Sequence, residues 1–555
     1  MRTLDWVVLA FTVVSIVMYG LYKGRRSGTM SSYLLANRNM PWWAMGLSIM
    51  ATQASGITFI GTTGQAYVDG MQFVQFYLGL PLAMVILSAT LVPLFRRSGA
   101  YTAYEYLEKR FDGKTRTLTC IVFLIQRGLG VGLALYAPAI VLSVMLGWSE
   151  RWTVMIMGVL MVSLTVFGGM QAITWTDVQQ MAIIFLGIGV SLAVAVLMLP
   201  GAVSLADALY LAGASGKLKV LDLSFDWSSR YNVWSGLIGG MFLALSYFGC
   251  DQSQVQRYLT SKSVAESRIS LIFNAVLKVP MQFFVLLTGA MVFVVFLFVP
   301  PPMLFDRVER ERVTSLPEYT ELQARYSEAG ARRSQAAYDL LRYRNDASRD
   351  KYNDSQKQFD AARQAGISLA KRSSGGREYN DTNYVFLTFV TSYLPAGLVG
   401  LILAAILVAS TISAELNSLA TCTVIDLYRR YWRSDASDGH YVLVSKLATA
   451  FWGVYAVTFA FFGGRLGSLI EAVNMVGSLF YGSVLGVFVL AFGVKRANGN
   501  SACLGLLAGL ATVWWMSRHT DISFLWYNVA GCLVAVAVGA ALGGPPQKAG
   551  QVATS

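Results

Sequence analysis

The sequence predicts an all-α polytopic membrane protein. Of its 555 residues, 55% are hydrophobic and only 14% are charged, whereas a soluble protein of this size carries about 25% charged residues. Apolar stretches of the roughly 20 residues that a bilayer requires recur from one end of the chain to the other. These observations exclude a water-soluble enzyme, and they also exclude a soluble domain with a single anchor.

Thirteen apolar stretches predict thirteen transmembrane helices. They lie near residues 5–22, 44–68, 73–95, 119–147, 152–169, 175–199, 234–256, 268–299, 384–427, 440–463, 467–493, 499–517 and 522–543. The basic residues beside the first stretch follow it, and no small-residue cleavage site is evident, so it is predicted to be a helix rather than a signal peptide. The stretch 384–427 is longer than one span requires.

The basic residues predict the orientation of the chain. Lys and Arg crowd four connections, at 96–116, 257–268, 429–433 and 495–496. All four fall on one side if each stretch spans once, and cytoplasmic loops carry the Lys/Arg excess. We therefore expect a multi-pass protein of the cell (inner) membrane with its N-terminus outside and a short cytoplasmic tail, 544–555. The net charge of +13 then reflects these loops and not a nucleic-acid partner.

One region differs from the rest in composition. Residues 301–380 hold 15 Lys/Arg and 12 Asp/Glu, so this region is predicted to be an extramembrane insertion on the outer side. Its segment 325–363 favours one long polar helix or a hairpin. A solvated loop is the simpler interpretation, and a lid or a docking site for a protein partner is the alternative.

Cysteine and histidine usage argues against a catalytic or transition-metal centre. The five cysteines are far apart in sequence and are interpreted as small core residues rather than as disulfides or ligands. The two histidines, His440 and His519, lie at predicted helix ends. No nucleophile–base pair is apparent, so the chain is not predicted to be an enzyme.

Two polar segments inside predicted spans could bind an ion. The first, Ala51 to Thr58, is small and polar and could unwind to expose carbonyl oxygens; a tight helix–helix contact is the alternative. The second, Ser410 to Ser418, places hydroxyls on one helical face. Neutral oxygens suit a hard cation such as Na⁺, although such hydroxyls also bond back to their own helix.

Four ionisable residues lie within or at the ends of predicted spans. Asp251 is expected to pair with a basic residue, and Lys278, in mid-span, must face a cavity or a partner because a charge there costs about 2.5–3.5 kcal/mol. Asp177 is interpreted either as a helix N-terminal cap or as a carboxylate on an ion path. Arg127 either snorkels to the interface or meets an anionic solute.

Four stretches together resemble the sodium:solute symporter family, which includes sodium–glucose and sodium–sialic acid transporters. They are Ser48–Gly61, Gly168–Gln179, Tyr247–Arg257 and Ala404–Tyr428. The resemblance implies a LeuT-type fold with two inverted five-helix repeats, here 41–200 and 231–497, the second interrupted by 301–380. It also implies that the second and seventh helices are broken around a central site. In the seventh, Gly249 is the candidate break.

The resemblance implies specific sodium ligands. The main site would use the carbonyls of Ala51, Ala54 and Leu407 with the side chains of Ser410 and Thr411. A second sodium, which some family members bind, would use Asp177 and Ser413, although Ala414 stands where a further hydroxyl is expected.

The resemblance also indicates a solute pocket. Tyr247 matches the aromatic residue that closes the sugar site, and Ser55 and Lys278 match sugar-transporter positions. Tyr77, Ala244 and Gln53 depart from that pattern, so a galactose-type site is not intact. The residues predicted to line the pocket are Gln53, Ser55, Thr58, Phe73, Tyr77, Tyr247, Lys278 and Asn474.

The predicted function is Na⁺-coupled import of a small organic solute by alternating access. The solute classes that fit are a sugar, a polyol, a sialic acid-like sugar or a small carboxylate. Na⁺ is the coupling ion, and no other cofactor is expected. The alternative is a transporter-like sensor that acts with a signalling partner.

Overall fold

The computed structural model describes residues 2–25, 28–54, 58–375, 379–408, 412–461 and 469–544, and within these ranges the protein is helical with no strand. The first ten helices are α1 (Thr3–Gly24), α2 (Met30–Leu35), α3 (Trp42–Gln53), α4 (Thr63–Asp69), α5 (Leu80–Ala89), α6 (Leu91–Ser98), α7 (Ala103–Arg110), α8 (Gly113–Leu146), α9 (Glu150–Leu197) and α10 (Leu205–Ala214). Short 3₁₀ segments cover Ala36–Arg38 and Met71–Tyr77, and a π-helical turn covers Thr58–Thr62.

The second half of the chain adds fourteen helices. They are α11 (Gly240–Cys250), α12 (Gln252–Leu259), α13 (Val264–Phe298), α14 (Arg307–Thr314), α15 (Pro317–Tyr343), α16 (Asp346–Ser373), α17 (Thr382–Tyr393), α18 (Leu398–Val408), α19 (Ile412–Cys422), α20 (Arg429–Tyr431), α21 (Asp438–Ala460), α22 (Leu469–Gly493), α23 (Gly499–His519) and α24 (Phe524–Ala541). Two π-helical segments, Ser235–Gly239 and Thr423–Tyr428, extend α11 and α19.

Eight helices of the described chain are by themselves long and apolar enough to cross a membrane. This number is smaller than the thirteen predicted spans for identifiable reasons. The second, seventh and ninth predicted spans are interrupted, and the fifth and sixth form the single helix α9. The remaining span, α23, has 21 residues and is less apolar than the eight.

The helix α9 contains two predicted spans without a loop between them. Its 48 residues correspond to about 72 Å of helix, more than twice the thickness of a bilayer core. The chain bends inside it at Gly169, where φ is 62°. Such a φ is readily adopted only by glycine, so this residue sets the bend between the two spans.

The second and seventh spans are broken, as expected. In the second, α3 ends at Gln53, and the hydroxyl of Thr58 donates to the Gln53 carbonyl at 2.7 Å across the break. In the seventh, the break was expected at Gly249 but lies at Asp251, whose backbone is extended and whose carboxylate accepts the Ser253 amide at 2.9 Å. The capping carboxylate, and not the glycine, therefore separates α11 from α12.

The basic connections meet at one end of the bundle, which we call the basic end. The Arg96 guanidinium donates to the Leu259 carbonyl at 3.0 Å, and Arg110 donates to the Val494 carbonyl at 3.0 Å. Arg430 pairs with Glu108. These contacts join the four connections that the sequence places on one side, as the charge pattern predicts.

The charged insertion forms a helical hairpin at the opposite end. Helices α15 and α16 are joined at Arg344, which has a left-handed backbone, and Asn345 caps α16. Arg344 also pairs with Asp207 at 2.5 Å. Arg333 is 1% exposed, stacks on Phe359 with its guanidinium carbon 3.5 Å from the ring centre, and donates to the Phe296 carbonyl at 2.5 Å. The hairpin is thus tied to the last turn of α13.

We expect Arg333→Met to loosen the hairpin from the membrane bundle. The substitution keeps apolar bulk but removes the charged donor of the buried Phe296 carbonyl. The attachment of the hairpin should become weaker by about 1.5–3 kcal/mol. Limited proteolysis at the 343–345 turn should become faster. The neighbouring Arg332→Met is the matched control, because the side chain of Arg332 is 63% exposed and pairs with Glu328, which is equally exposed. Equal protease resistance of the two variants would contradict this assignment.

Candidate functional site

The backbone half of the predicted sodium site lies at the end of α3 and on α18. Ala51 is in the last turn of α3, Ala54 follows that helix directly, and Leu407 lies on α18. All three are buried. Carbonyls in the last turn of a helix lack an intrahelical donor, so the end of α3 can offer oxygens to an ion. Ser410, Thr411 and Ser55 lie outside the described residues.

Asp177 does not cap a helix, contrary to one of its two interpretations, because it lies inside α9. It is buried and pairs with Arg257 of α12 at 2.5 Å, and it accepts the Ser48 hydroxyl of α3 at 2.6 Å. Arg257 is 1% exposed. The carboxylate therefore joins three helices through one guanidinium and one hydroxyl.

Asp177 and Ser413, the two residues of the predicted second sodium site, line one small cavity. The other lining residues are Val13, Val17, Leu160, Met161, Leu164, Thr176 and Gln180. The cavity is apolar on the α1 side and oxygen-rich where Asp177, Ser413 and Gln180 meet. A cation entering it would have to share Asp177 with Arg257.

Arg127 is the centre of a buried ion-pair cluster, which we call the Arg127 cluster. Its guanidinium pairs with Asp251 and with Glu415 at 2.8 Å, and it contacts the Tyr481 hydroxyl at 3.0 Å. The Tyr481 hydroxyl also lies 3.2 Å from the Asp251 carboxylate. The pairing expected for Asp251 is confirmed, whereas Arg127 does not reach the membrane interface. With two carboxylates on one guanidinium, the cluster does not offer an unpaired positive charge.

Tyr247 belongs to the edge of this cluster. Its hydroxyl accepts the Gln254 amide at 2.7 Å, the Arg127 guanidinium lies 5.4 Å from its ring centre, and its ring meets Tyr481 at 5.8 Å. The cation–π contact and the hydrogen bond fix the ring. Tyr247 is therefore a rigid wall between the broken seventh helix and α22.

A polar stripe runs along α13 beside the broken second helix. Asn274, Lys278 and Gln282 are spaced four residues apart, so they share one face, and each is 0% exposed. Among the described groups none bonds to the Lys278 ammonium or to the side-chain oxygen and nitrogen of either amide. The side-chain oxygen of Gln53 is likewise buried without a described partner. Buried polar atoms of this kind are normally satisfied, so the stripe has the chemistry of a site for a polar ligand.

An aromatic wall faces the stripe. The Lys278 ammonium lies 5.5 Å from the centre of the Tyr77 ring. Tyr77 meets Phe73 at 6.0 Å, and Phe73 in turn meets Tyr231 at 5.0 Å. The structure thus brings Phe73, Tyr77 and Lys278 together, as the pocket prediction requires.

The other predicted pocket residues lie at different levels. Gln53 and Thr58 flank the break of the second helix. Asn474 is half-buried in the second turn of α22, close to Glu471, which pairs with the exposed Arg230 at 2.7 Å. Asn474 therefore lies nearer the hairpin end than Lys278 does.

Asn274 and Gln282 were not predicted from the sequence. Each is a common residue when taken alone, and neither falls in one of the four short stretches on which the resemblance was based. Their spacing of four on either side of Lys278, within an otherwise apolar helix, is the signal that could have found them.

A cleft opens at the hairpin end between α9, α14 and α17. Its charged lining residues are Glu150, Arg151, Asp306, Glu309 and Arg312. Burial raises the pKa of Asp306 to about 6, although its hydrogen bonds from the Val308 and Glu309 amides oppose that shift. The cleft therefore loses negative charge as the pH falls through this value.

Comparison with known proteins identifies relatives over nearly the whole chain. A model of the sodium:solute symporter family matches residues 33–304 and 364–509, leaving out most of the hairpin. A sodium/sialic acid symporter of Aliivibrio fischeri is 27% identical over 551 residues, 97% of this chain and 92% of the relative. A sodium/glucose cotransporter of Vibrio parahaemolyticus is 27% identical over 524 residues, 91% of this chain and 84% of the relative.

A solved structure shares the fold. It is a Na⁺-coupled sialic acid symporter in a substrate-bound, outward-open state, and it aligns with a TM-score of 0.76 at 23% identity. The alignment covers 98% of this chain and 99% of the other. The predicted all-helical, LeuT-type architecture is thereby confirmed.

Proposed function

The chain belongs to the sodium:solute symporter family and is a sodium-coupled symporter of a small solute, and on this premise we propose that the solute is an organic anion whose carboxylate binds Lys278. The observation that carries the proposal is the buried Lys278 ammonium, which has no hydrogen-bond or ion-pair partner among the described residues. An ammonium inside a membrane bundle is costly unless an opposite charge compensates it. A bound carboxylate would supply that charge and accept its hydrogen bonds.

The surroundings of Lys278 favour a polar acid over a purely apolar one. Asn274 and Gln282 each present a donor and an acceptor that no described residue binds, on the same face, which matches hydroxyl or amide groups on the solute. Tyr77 and Phe73 offer an apolar surface for a ring or a carbon chain. Sialic acid, which the Aliivibrio fischeri relative is named for, is a sugar acid of this general kind.

The Arg127 cluster also favours Lys278 as the residue that binds the solute carboxylate, because it excludes Arg127. Two other cations near the broken seventh helix are buried, but two carboxylates already bind Arg127 and Asp177 binds Arg257. A solute anion approaching Arg127 would have to displace Asp251 or Glu415. Lys278 has no such competitor among the described groups, so it is the better anchor for a carboxylate.

Sodium would bind at the break of the second helix. In this proposal the carbonyls of Ala51, Ala54 and Leu407 and the hydroxyls of Ser410 and Thr411 hold the ion. Gln53 and Thr58, which flank the break, would then link the sodium site to the solute pocket. Sodium and solute should therefore each raise the affinity for the other, a coupling of typically about 1–3 kcal/mol.

We propose that transport is directed into the cell across the cytoplasmic membrane, with the basic end facing the cytoplasm. Each net positive charge carried inward gains about 2.3 kcal/mol per 100 mV of membrane potential. A monoanion that travels with a single Na⁺ carries no net charge. A second sodium, at Asp177 and Ser413, would make the cycle electrogenic.

The test of the solute class uses a matched pair of ligands. Galacturonate and galactose share a ring and differ at the carboxylate, so purified protein in Na⁺ should be stabilised against heat by the acid and much less by the neutral sugar. Lys278→Gln should weaken binding of the acid by about 10–100-fold, the loss of one hydrogen-bonded charge of about 1.5–3 kcal/mol. Lys357→Gln, at a lysine whose side chain is 79% exposed, is the control.

The panel should be widened to other acid and neutral pairs, such as short carboxylates and their amides. If the neutral member of every pair stabilises the protein as well as the acid does, the anionic solute is wrong. The same conclusion follows if Lys278→Gln leaves the preference for an acid unchanged.

Removing the predicted sodium hydroxyls should weaken sodium binding. We expect Ser410→Ala or Thr411→Ala to raise the Na⁺ concentration for half-maximal uptake by about tenfold or more, since each removes one ligand. Thr458→Ala is the matched control, because its hydroxyl bonds back to the Val454 carbonyl of its own helix at 2.9 Å. Unchanged sodium dependence in both site variants would remove these residues from the site.

A further inference from the structure

Two cysteines that are 302 residues apart in sequence meet inside the bundle. Cys120 lies on α8, and Cys422 is the last residue of α19. Asp426 follows one turn later in the π-helical segment Thr423–Tyr428. The two sulfur atoms and one carboxylate oxygen of Asp426 all lie within 4.8 Å of one another, and all three residues are 0% exposed. The earlier interpretation of these two cysteines as isolated core residues is therefore incomplete.

Only one of the two carboxylate oxygens of Asp426 has hydrogen-bond partners among the described residues. Its Oδ1 accepts the Thr102 hydroxyl at 2.8 Å and the Arg116 Nε at 2.7 Å. Its Oδ2 is fully buried and accepts no hydrogen bond from the described part of the chain. A buried carboxylate oxygen without a donor is costly, and this one lies beside two thiols.

We propose that Cys120, Cys422 and Asp426 bind one thiophilic divalent cation of the Zn²⁺ or Cd²⁺ class. Two sulfurs and one oxygen are a ligand set that selects such metals over Na⁺, Mg²⁺ or Ca²⁺. Around a tetrahedral Zn²⁺ with bonds of about 2.3 Å, two sulfurs lie roughly 3.8 Å apart. That separation falls within the 4.8 Å envelope of the three atoms, so small side-chain rotations suffice.

The charges balance when the metal binds. Each thiol loses its proton to solvent, so one divalent ion replaces two protons and neutralises two thiolates. Asp426 is already balanced by Arg116 through Oδ1, which leaves Oδ2 free to complete the ligand set. Solvent would occupy the fourth position.

The site lies close to the basic end of the bundle. Arg116 also pairs with Glu108, and Glu108 pairs with Arg430 at the start of α20. A metal here would join α8 to α19, the helices that carry Arg127 and Glu415. Metal binding should therefore stabilise the packing of α8 against α19, and with it the Arg127 cluster.

The test uses the purified full-length protein after treatment with a chelator. Titration with Cd²⁺ should give one tightly bound ion per chain, a thiolate-to-metal charge-transfer band in the ultraviolet and release of two protons. Cys120→Ser and Cys422→Ser should abolish most of the band and weaken binding by roughly 100-fold, and Asp426→Asn should keep the band but bind more weakly. Cys532→Ser, at a buried thiol of α24, should behave as the unsubstituted protein does.

X-ray absorption at the zinc edge provides a measurement that does not depend on the variants folding. The Zn²⁺-loaded protein should show two sulfur neighbours at about 2.3 Å. A shell of oxygen and nitrogen alone would overturn the proposal. Cd²⁺ binding that survives in the Cys120→Ser/Cys422→Ser double variant, or that is lost equally in Cys532→Ser, would also overturn it.

Discussion

Arg127→Met should lower the free energy of unfolding by about 3–5 kcal/mol, because it leaves two buried carboxylates without their cation. Asp251 is 2% exposed and Glu415 is 4% exposed, so water cannot solvate either carboxylate in place of the arginine. Methionine replaces much of the apolar volume of the arginine, and the loss therefore reports mainly on charge. Glu415→Gln should cost much less, since Arg127 keeps its pair with Asp251.

The measurement is thermal or denaturant unfolding in detergent, with Arg312→Met as the control. Arg312 is 49% exposed and forms a pair with Glu309 one turn away, and such pairs contribute about 0–1 kcal/mol. A loss in Arg127→Met no larger than that of the control would mean that the cluster does not hold α8, α19 and α22 together. A loss in Glu415→Gln equal to that in Arg127→Met would show that the pair with Asp251 contributes little.

Arg257→Met should be the second severe substitution, and its severity should depend on sodium. In a Na⁺-free buffer it leaves the buried Asp177 carboxylate with the Ser48 hydroxyl as its one remaining partner among the described residues. The free energy of unfolding should again fall by about 3–5 kcal/mol. Adding Na⁺ should restore part of that stability if the cavity shared by Asp177 and Ser413 accepts the ion. Na⁺ should stabilise the unsubstituted protein less through this cavity, because Arg257 already pairs with the Asp177 carboxylate.

The double variant Arg257→Met/Asp177→Asn separates the cost of an unpaired Asp177 carboxylate from the stabilisation by bound Na⁺. Removing both charges should recover most of the stability, since replacing a whole buried ion pair is often nearly neutral, and it should abolish the extra stabilisation by Na⁺. If Na⁺ stabilises Arg257→Met no more than it stabilises the double variant, Asp177 does not bind sodium. K⁺ at equal ionic strength is the control for screening.

The sequence was most informative where local composition decides structure. Apolar stretches located the helices, small polar residues at 51–58 located one break, and Lys/Arg clusters located one end of the bundle. Each of these features depends on neighbours in the chain. The break of the seventh helix was misplaced by two residues because glycine is the usual breaker, whereas here the Asp251 carboxylate caps the next helix.

Partners distant in the chain could not be predicted in this way. Lys278 and Arg127 were each recognised as unusual charges. Only the fold shows that Arg127 binds two carboxylates and that Lys278 has no hydrogen-bond partner in the described part of the chain. The same holds for Asp177, whose partner Arg257 lies 80 residues away, and for the meeting of Cys120 with Cys422. A charge pattern states that a partner must exist, and the packing of helices decides which residue it is.

The docked hairpin has a practical consequence for imaging. A membrane bundle embedded in a detergent micelle offers few landmarks for aligning single particles in an electron microscope. Here α15, with 27 residues, is about 40 Å long and is fastened to α13 through Arg333. Such a firmly attached hairpin can serve as a built-in reference feature, and the exposed residue Tyr343 in its turn is a natural place to fuse a larger rigid tag or to raise a nanobody against.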